Sequence, residues 1–181
     1  MFRFRTMLFA AFLASAPTLS WADDFDDTIK LFRGAGQSAK FFGNAYGYAV
    51  FPTIGKGGIG IGGAHGSGRV YQKGGYVGDT SMTQLTVGLQ LGGQAYSQII
   101  FFQDKRAYDN FTSGNFEFGA QAGTTGTSSG ASSTGKADHA STAGGYQSGM
   151  AVFTVAKGGL MYEASIGGQK FSYEAKGAKK K

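Results

Sequence analysis

Three Lys-Gly-Gly triplets are the residues of this sequence whose types and spacing best suit ligand binding. They begin at Lys56, Lys73 and Lys157. Successive backbone N–H groups at glycine-rich turns can form a nest that binds an anion, and an adjacent lysine adds positive charge. The pattern predicts phosphate contacts at Lys56, Gly57, Gly58, Lys73 and Lys157. The structural alternative is that glycine supplies positive φ at each turn and lysine keeps the turn soluble.

The other reactive residue types do not form a recognisable catalytic or metal-binding motif. The absence of cysteine excludes disulfides, thiolate zinc sites and cysteine nucleophiles. His65 and His139 have no clustered carboxylates nearby in sequence, which argues against zinc binding and against a nucleophile–base pair. Residues 55–60 match G-x-G-x-x-G, but no helical period follows, so a dinucleotide site is not predicted. We expect a protein that is not an enzyme and has no metal or cofactor.

Residues 23–43 have the pattern of an amphipathic helix followed by a second short turn. Aspartates in residues 23–27 suit a helix N-terminus, and Phe25, Ile29 and Phe32 form one apolar stripe. The stripe fits a helix that inserts into a lipid surface, or a helix packed on the rest of the fold. The two are compatible, because a packed helix can detach. In the first case the lipid-binding residues of this segment are Phe25, Ile29, Lys30, Phe32, Arg33, Lys40, Phe41 and Phe42.

Short β-rich runs separated by glycine clusters dominate the rest of the chain. The 32 glycines are interleaved with 16 phenylalanines and 9 tyrosines, a composition typical of tightly turned β-structure. Leu85, Val87, Leu89 and Leu91 alternate with polar or small residues and predict a strand with one buried apolar face. Residues 99–102 are apolar throughout, which indicates a central or helix-covered strand.

Further elements complete the predicted fold. Asp104 is a suitable N-cap for a short helix ending near Phe111, and strands are expected at residues 46–54, 115–122, 149–156, 159–166 and 168–174. The sequence therefore predicts a mainly β protein. Its architecture would be a compact antiparallel β-barrel or closed sandwich with an N-terminal helix and one short additional helix.

The chain organisation is predicted to be a signal peptide at residues 1–22 and a single domain at residues 23–181. Arg3 and Arg5 precede a short apolar run, and small residues stand at the expected cleavage position after Ala22. Within the domain, residues 123–148 are rich in Gly, Ser and Thr and are expected to form a flexible loop. Residues 176–181 form a basic tail.

Four sequence blocks resemble the SYLF domain, a lipid-binding module of bacteria and eukaryotes. They are residues 46–73, 75–80, 83–102 and 149–171. The resemblance implies binding of phosphoinositides or other anionic lipids, with actin binding added in some fungal members. It supplies no settled catalytic residues. The triplets at Lys56 and Lys157 lie inside these blocks.

The sequence thus predicts an exported, peripheral module that recognises anionic phospholipid head groups and works in the periplasm or at the outer membrane. Its expected partners are the anionic membrane surface and an envelope protein, not nucleic acid. Two alternatives stay open: an integral outer-membrane β-barrel, and a structural or adhesive surface protein acting through protein contacts.

Overall fold

The computed structural model describes residues 21–36, 38–59, 61–87, 94–118, 146, 148–157 and 166–178. The chain forms helix α1 and a 3₁₀ helix, then four strands, helix α2 and three further strands. Their bounds are α1 Trp21–Gly34, the 3₁₀ helix Ala39–Gly43, β1 Gly47–Ile59, β2 Ile61–Gln72, β3 Gly75–Val87, β4 Gln94–Phe102, α2 Lys105–Thr112, β5 Phe116–Glu117, β6 Met150–Ala156 and β7 Lys170–Ala175.

The strands form one antiparallel sheet that curls into a half-barrel, with the order β5-β7-β3-β2-β1-β4-β6. The curl brings Phe51 on β1 within 5.7 Å of Phe171 on β7, measured between ring centroids, although two strands separate them in the sheet. Glycine allows this close approach, because a Cβ at Gly68 would lie 2.6 Å from the Phe51 ring. The predicted mainly β fold with two helices is confirmed.

The inner face of the half-barrel holds the larger apolar cluster. Helix α2 closes it through Ala107 and Phe111, which pack against Phe102 and Phe171. Asp104 caps α2 as predicted, since its Oδ1 accepts a hydrogen bond of 2.9 Å from the Ala107 N–H. The helix therefore begins where the sequence indicated and seals this part of the inner face.

The outer face is covered by α1 and the 3₁₀ helix. Phe25, Phe32 and Phe41 pack there against Phe101 and Phe153, among other side chains of β1, β4 and β6. Residues 99–102 of β4 are fully buried, as expected for a strand with protein on both faces. No helix in the described ranges is both long and apolar enough to cross a membrane.

Two sequence predictions about the strands are wrong in detail. Residues 56–58 lie inside β1 and do not form a turn, because their backbone pairs with β2. Leu85 is exposed on β3 while its neighbour Gln84 is buried, so the leucine side of this strand is not the buried side. The inner face is already filled by other side chains of the curled sheet, which the local pattern could not reveal.

Other predictions fall on residues outside the described ranges. These are residues 1–20, Val87 as a side chain, Leu89 and Leu91, and most of the strand expected at 159–166. The loop at 123–148 is described only at Tyr146 and Ser148, and β5 covers only the beginning of the strand expected at 115–122. The signal peptide and the basic tail stay predictions.

Candidate functional site

One end of the sheet gathers two of the three Lys-Gly-Gly triplets. We call it the hairpin end: residues 56–59 of β1, 61–64 of β2, 84–87 of β3, 94–95 of β4, and Lys157. Gly55 pairs with Ala95, and the Lys157 N–H donates a hydrogen bond of 2.9 Å to the Ala95 carbonyl oxygen. Lys56 is half-buried and Lys157 is exposed. Lys56 on β1 and Lys157, one residue beyond the end of β6, therefore lie on opposite sides of β4 at the same end of the sheet.

The third triplet lies at the opposite end of the sheet. Lys73 is in the β2–β3 turn, where Lys73 and Gly74 have φ of 48° and 82°, as predicted for a glycine turn. The turn lies next to Gly47, the first residue of β1, which pairs with Gln72. Gly47 and Lys56 are separated by about 30 Å of strand. The three triplets therefore do not converge on one ligand.

The backbone around these triplets is also less available than a nest requires. Lys56 lies in register with both Ala64 and Gln94, within the antiparallel ladders of β1. The Lys73 N–H donates to the Tyr46 carbonyl oxygen at 3.2 Å. Gly158 and Gly159 are outside the described residues. At these positions an anion would therefore be bound mainly by the positive charge of the lysine side chains and less by a nest of backbone amides.

The aromatic stripe predicted to meet lipid faces the sheet. Phe25, Phe32 and Phe41 are 7%, 0% and 3% exposed, while Ile29 and Phe42 are half-buried. The packed arrangement of α1 is therefore the one observed. These phenylalanines could reach lipid only if α1 and the 3₁₀ helix separated from the outer face.

The basic residues of this segment lie next to aromatic rings or carboxylates. The Arg33 guanidinium is 4.3 Å from the Phe42 ring centroid, and the Lys40 Nζ is 5.6 Å from that of Phe41. Lys30 pairs with Asp27 at 3.7 Å on the exposed side of α1. The Arg33 contact joins α1 to the 3₁₀ helix, and a cation over a ring contributes roughly 0.5–2 kcal/mol.

Arg69 is a residue of this surface that the sequence analysis did not identify. Its guanidinium lies 4.4 Å from the Phe25 ring and 4.9 Å from the Tyr76 ring, so it joins α1 to β3. Burial raises the pKa of Tyr71 and of Tyr48, although hydrogen bonds from Arg69 and Arg33, respectively, oppose the shift. No local signal marks Arg69, because its contact with α1 is to Phe25, which is distant in sequence.

The polarity of the sheet is reversed at the hairpin end. Gln84 is 5% exposed and its Nε2 donates a hydrogen bond of 2.8 Å to the Gly167 carbonyl oxygen, whereas Leu85 is 84% exposed. Among the described residues, Leu85 is the large apolar side chain that is exposed. The outer side here therefore carries an exposed leucine, and the inner side carries an amide.

Further amides continue the polar inner side along β4. Gln98 and Gln169 are fully buried and exchange two hydrogen bonds of 3.0 and 3.1 Å. The Tyr96 hydroxyl accepts a further bond from Gln169 Nε2 at 3.3 Å. These hydrogen bonds join β4 to the residue before β7 across the inner face, although the two strands are not neighbours in the sheet. The inner face thus carries buried amides among apolar side chains toward the hairpin end and aromatic rings toward α2.

Helix α1 covers only part of the outer face. Two grooves of about 280 Å³ flank its N-terminal half. One is lined by Phe25, Thr53 and His65, and the other by Thr28 and Lys157. Beyond these grooves the outer side of the hairpin end has no helix over it among the described residues. The part of the chain that the structure describes contains no group of three or more His, Cys, Asp or Glu that could hold a metal.

Comparisons with known proteins identify the family. The family model Ysc84, described as Las17-binding protein actin regulator, matches residues 83–180, more than half of the chain. A protein of Aeromonas veronii named Beta cell expansion factor A is 32% identical over 146 residues, which are 79% of this chain and 51% of that protein. The chain thus spans about half the length of this curated relative. Since the family model matches more than half of the chain, from the end of β3 through all the later elements, the chain belongs to the Ysc84 (SYLF) family.

Proposed function

We propose that the chain is a peripheral, non-catalytic module that binds membranes rich in anionic phospholipid through its hairpin end. Family membership fits a lipid-binding role. The observation that carries the proposal is the placement of Lys56 and Lys157 at one end of the sheet, on the two strands that flank β4, where residues 57–63 and 85–95 contain no carboxylate. An anionic surface approaching the strand ends therefore meets positive charge, and the nearby carboxylates lie toward helix α1, where Asp24 and Asp27 line a groove with Lys157.

Long-range attraction acts in the same direction. The formal net charge is +6, and removal of Arg3 and Arg5 with the predicted signal peptide leaves 15 basic and 11 acidic residues, or +4. A net positive chain accumulates near an anionic bilayer, and this attraction weakens as salt shortens the Debye length.

The lysines alone do not give stable attachment. Each basic side chain near an anionic membrane contributes about 1 kcal/mol, so two supply about 2 kcal/mol. Millimolar affinity already requires about 4 kcal/mol. The hairpin end must therefore add apolar contact, for which it offers the exposed side chain of Leu85.

Helix α1 is the competing surface. Using Phe25, Phe32 and Phe41 for insertion requires removing them from the sheet, at about 1.5–3 kcal/mol for each buried side chain. Contacts with the membrane would have to compensate this free-energy cost before any net binding occurred. The hairpin end needs no such rearrangement, which is why we favour it over the helix.

A protein partner is the second candidate, because the matching family is described as a Las17-binding protein actin regulator. In this chain, with its predicted export signal, the corresponding partner would be a protein of the cell envelope. We place the module in the periplasm or at the outer membrane on the same ground.

Flotation tests the proposal. The purified protein is centrifuged with liposomes of graded anionic content at two salt concentrations. We expect co-flotation to rise with anionic lipid and to fall with salt. Absence of flotation with every composition contradicts the proposal, and a cross-linked envelope protein together with no lipid selectivity would support the second candidate.

A further inference from the structure

We propose that the hairpin end penetrates the hydrocarbon layer of the bilayer, with Leu85 in contact with the acyl chains. This inference rests on the proposed membrane function and specifies how the same site engages lipid. The inference requires contact with the acyl chains of the bilayer, whereas binding to head groups alone does not require it.

The reversed polarity of β3 is the first observation. A sheet packed on one side and wet on the other buries its apolar side chains and exposes its polar ones. At the hairpin end Gln84 is buried and hydrogen-bonded, whereas Leu85 is 84% exposed. Apolar residues outside and polar residues inside are the arrangement of strands whose outer side meets lipid.

The strand register supplies the second observation. Leu85 pairs with Gly63, which pairs in turn with Gly57, so glycines fill the neighbouring positions of this row. Because glycine has no side chain, nothing in that row covers Leu85 from β1 or β2. Two positions further along, Ile61 pairs with both Ile59 and Val87, which places three aliphatic residues in one register row.

The distribution of charge is the third observation, and it determines how deeply the hairpin end enters the bilayer. Residues 57–63 and 85–95 contain no charged residue, and Lys56 and Lys157 stand where this region begins. From Lys56 to the end of β1 at Ile59 the strand advances about 10 Å. Interfacial insertion reaches about 5–10 Å below the head groups. The lysines can then remain at the phosphate level while the strand ends lie deeper.

Helix α1 marks the limit of penetration. Asp24 lines the grooves on both sides of its N-terminal half, and Asp26 and Asp27 are exposed nearby. Anionic head groups would be repelled by these three carboxylates. The acidic helix end thus opposes deeper entry, whereas the uncharged strand ends favour shallow entry.

The first test is a matched pair of substitutions on β3. Leu85→Glu and Thr83→Glu introduce the same charge at two exposed positions of one strand face, two residues apart. Full burial of a leucine side chain corresponds to about a tenfold to hundredfold gain in partitioning. We expect Leu85→Glu to weaken binding to anionic vesicles at least tenfold, and Thr83→Glu less than threefold. Equal losses in both variants would overturn the insertion.

The second test measures depth directly. The chain has no cysteine, so Leu85→Cys gives a unique attachment site for an environment-sensitive fluorophore. A label at the exposed α2 position, Asn110→Cys, is the control. We expect the label at residue 85 to shift to the blue on anionic vesicles and to be quenched by quenchers placed on the acyl chains, and the control label to show neither effect.

The outcomes separate the two proposals. If the protein floats with vesicles but the label at residue 85 stays in water, the insertion is wrong and the proposed function stands. If the protein does not float, both are wrong. If the label shifts without vesicles as protein concentration rises, a second copy of the chain covers Leu85, which also overturns the insertion.

Discussion

Gln84 and Leu85 are adjacent on β3, yet the amide is buried against the Gly167 carbonyl oxygen and the leucine is exposed to solvent. A buried polar residue beside an exposed apolar one is the reverse of the arrangement in a sheet that faces water. It predicts that substitution of Gln84 lowers stability more than substitution of Leu85. Gln84→Ala removes the hydrogen bond to the part-buried Gly167 carbonyl and should lower the free energy of unfolding by about 1 kcal/mol.

Leu85→Ser is the control for that measurement. An exposed substitution usually changes stability by no more than about 0.5 kcal/mol. Urea unfolding of both variants measures the difference. A larger loss from Leu85→Ser than from Gln84→Ala would show that Leu85 is packed in solution and would contradict the polarity described for this strand.

The packing of α1 leads to a second prediction. Phe32 is fully buried on the outer face, so Phe32→Ala should cost about 3–5 kcal/mol of stability. Ile29→Ala, on the half-buried side of the same helix, should cost less. Thermal unfolding of the two variants tests this order, and similar losses would contradict the packing.

Helix α1 should also keep its packing on the membrane. Because the hairpin end binds without rearrangement, hydrogen exchange of α1 amides should be unchanged when anionic vesicles are added. Faster exchange throughout α1 on vesicles would instead support release of the helix and insertion of Phe25 and Phe32.

The pH dependence of stability at high pH follows from three half-buried tyrosines. Burial raises the pKa of Tyr76, Tyr108 and Tyr146 from 10.0 to about 12. Below pH 10 the folded and unfolded chains hold the same tyrosine protons, so these groups add no pH dependence. Between pH 10 and about 12 the unfolded chain loses protons that the folded chain keeps, and stability falls as pH rises.

Absorbance of tyrosinate against pH measures this directly in the folded protein. Tyr76, Tyr108 and Tyr146 should titrate late, as should Tyr48 and Tyr71, whose pKa burial also raises. Tyr108→Phe should remove one late component. Titration of every tyrosine near pH 10 in the folded protein would contradict the burial described for these side chains.

The sequence was sufficient to predict the structure where the local pattern and the tertiary contacts agree. Residues 99–102 are apolar on both sides and became the strand buried on both faces, and Asp104 capped α2. These features depend on residues close in the chain. Lys56 is different, since pairing with Ala64 and Gln94 turned a predicted turn into strand.

Leu85 shows a second reason why the sequence alone did not predict this part of the structure. A period-two pattern fixes which residues share a face, but the side that is buried depends on what else fills the interior. Phe51, Met82 and Phe171 occupy the inner face of the half-barrel, and Gln84 joins them through its bond to Gly167. The hairpin end could therefore be located only from the assembled sheet.

The central claim is that the hairpin end, and not the opposite end of the sheet, meets the membrane. Flotation of two double variants with the same anionic liposomes tests it. Lys56→Gln with Lys157→Gln removes two charges from the hairpin end, and Lys73→Gln with Lys176→Gln removes two from the other end. At about 1 kcal/mol per charge, the first pair should weaken binding at least tenfold. The second pair should bind nearly as well as the unchanged protein, and the reverse order would contradict the account.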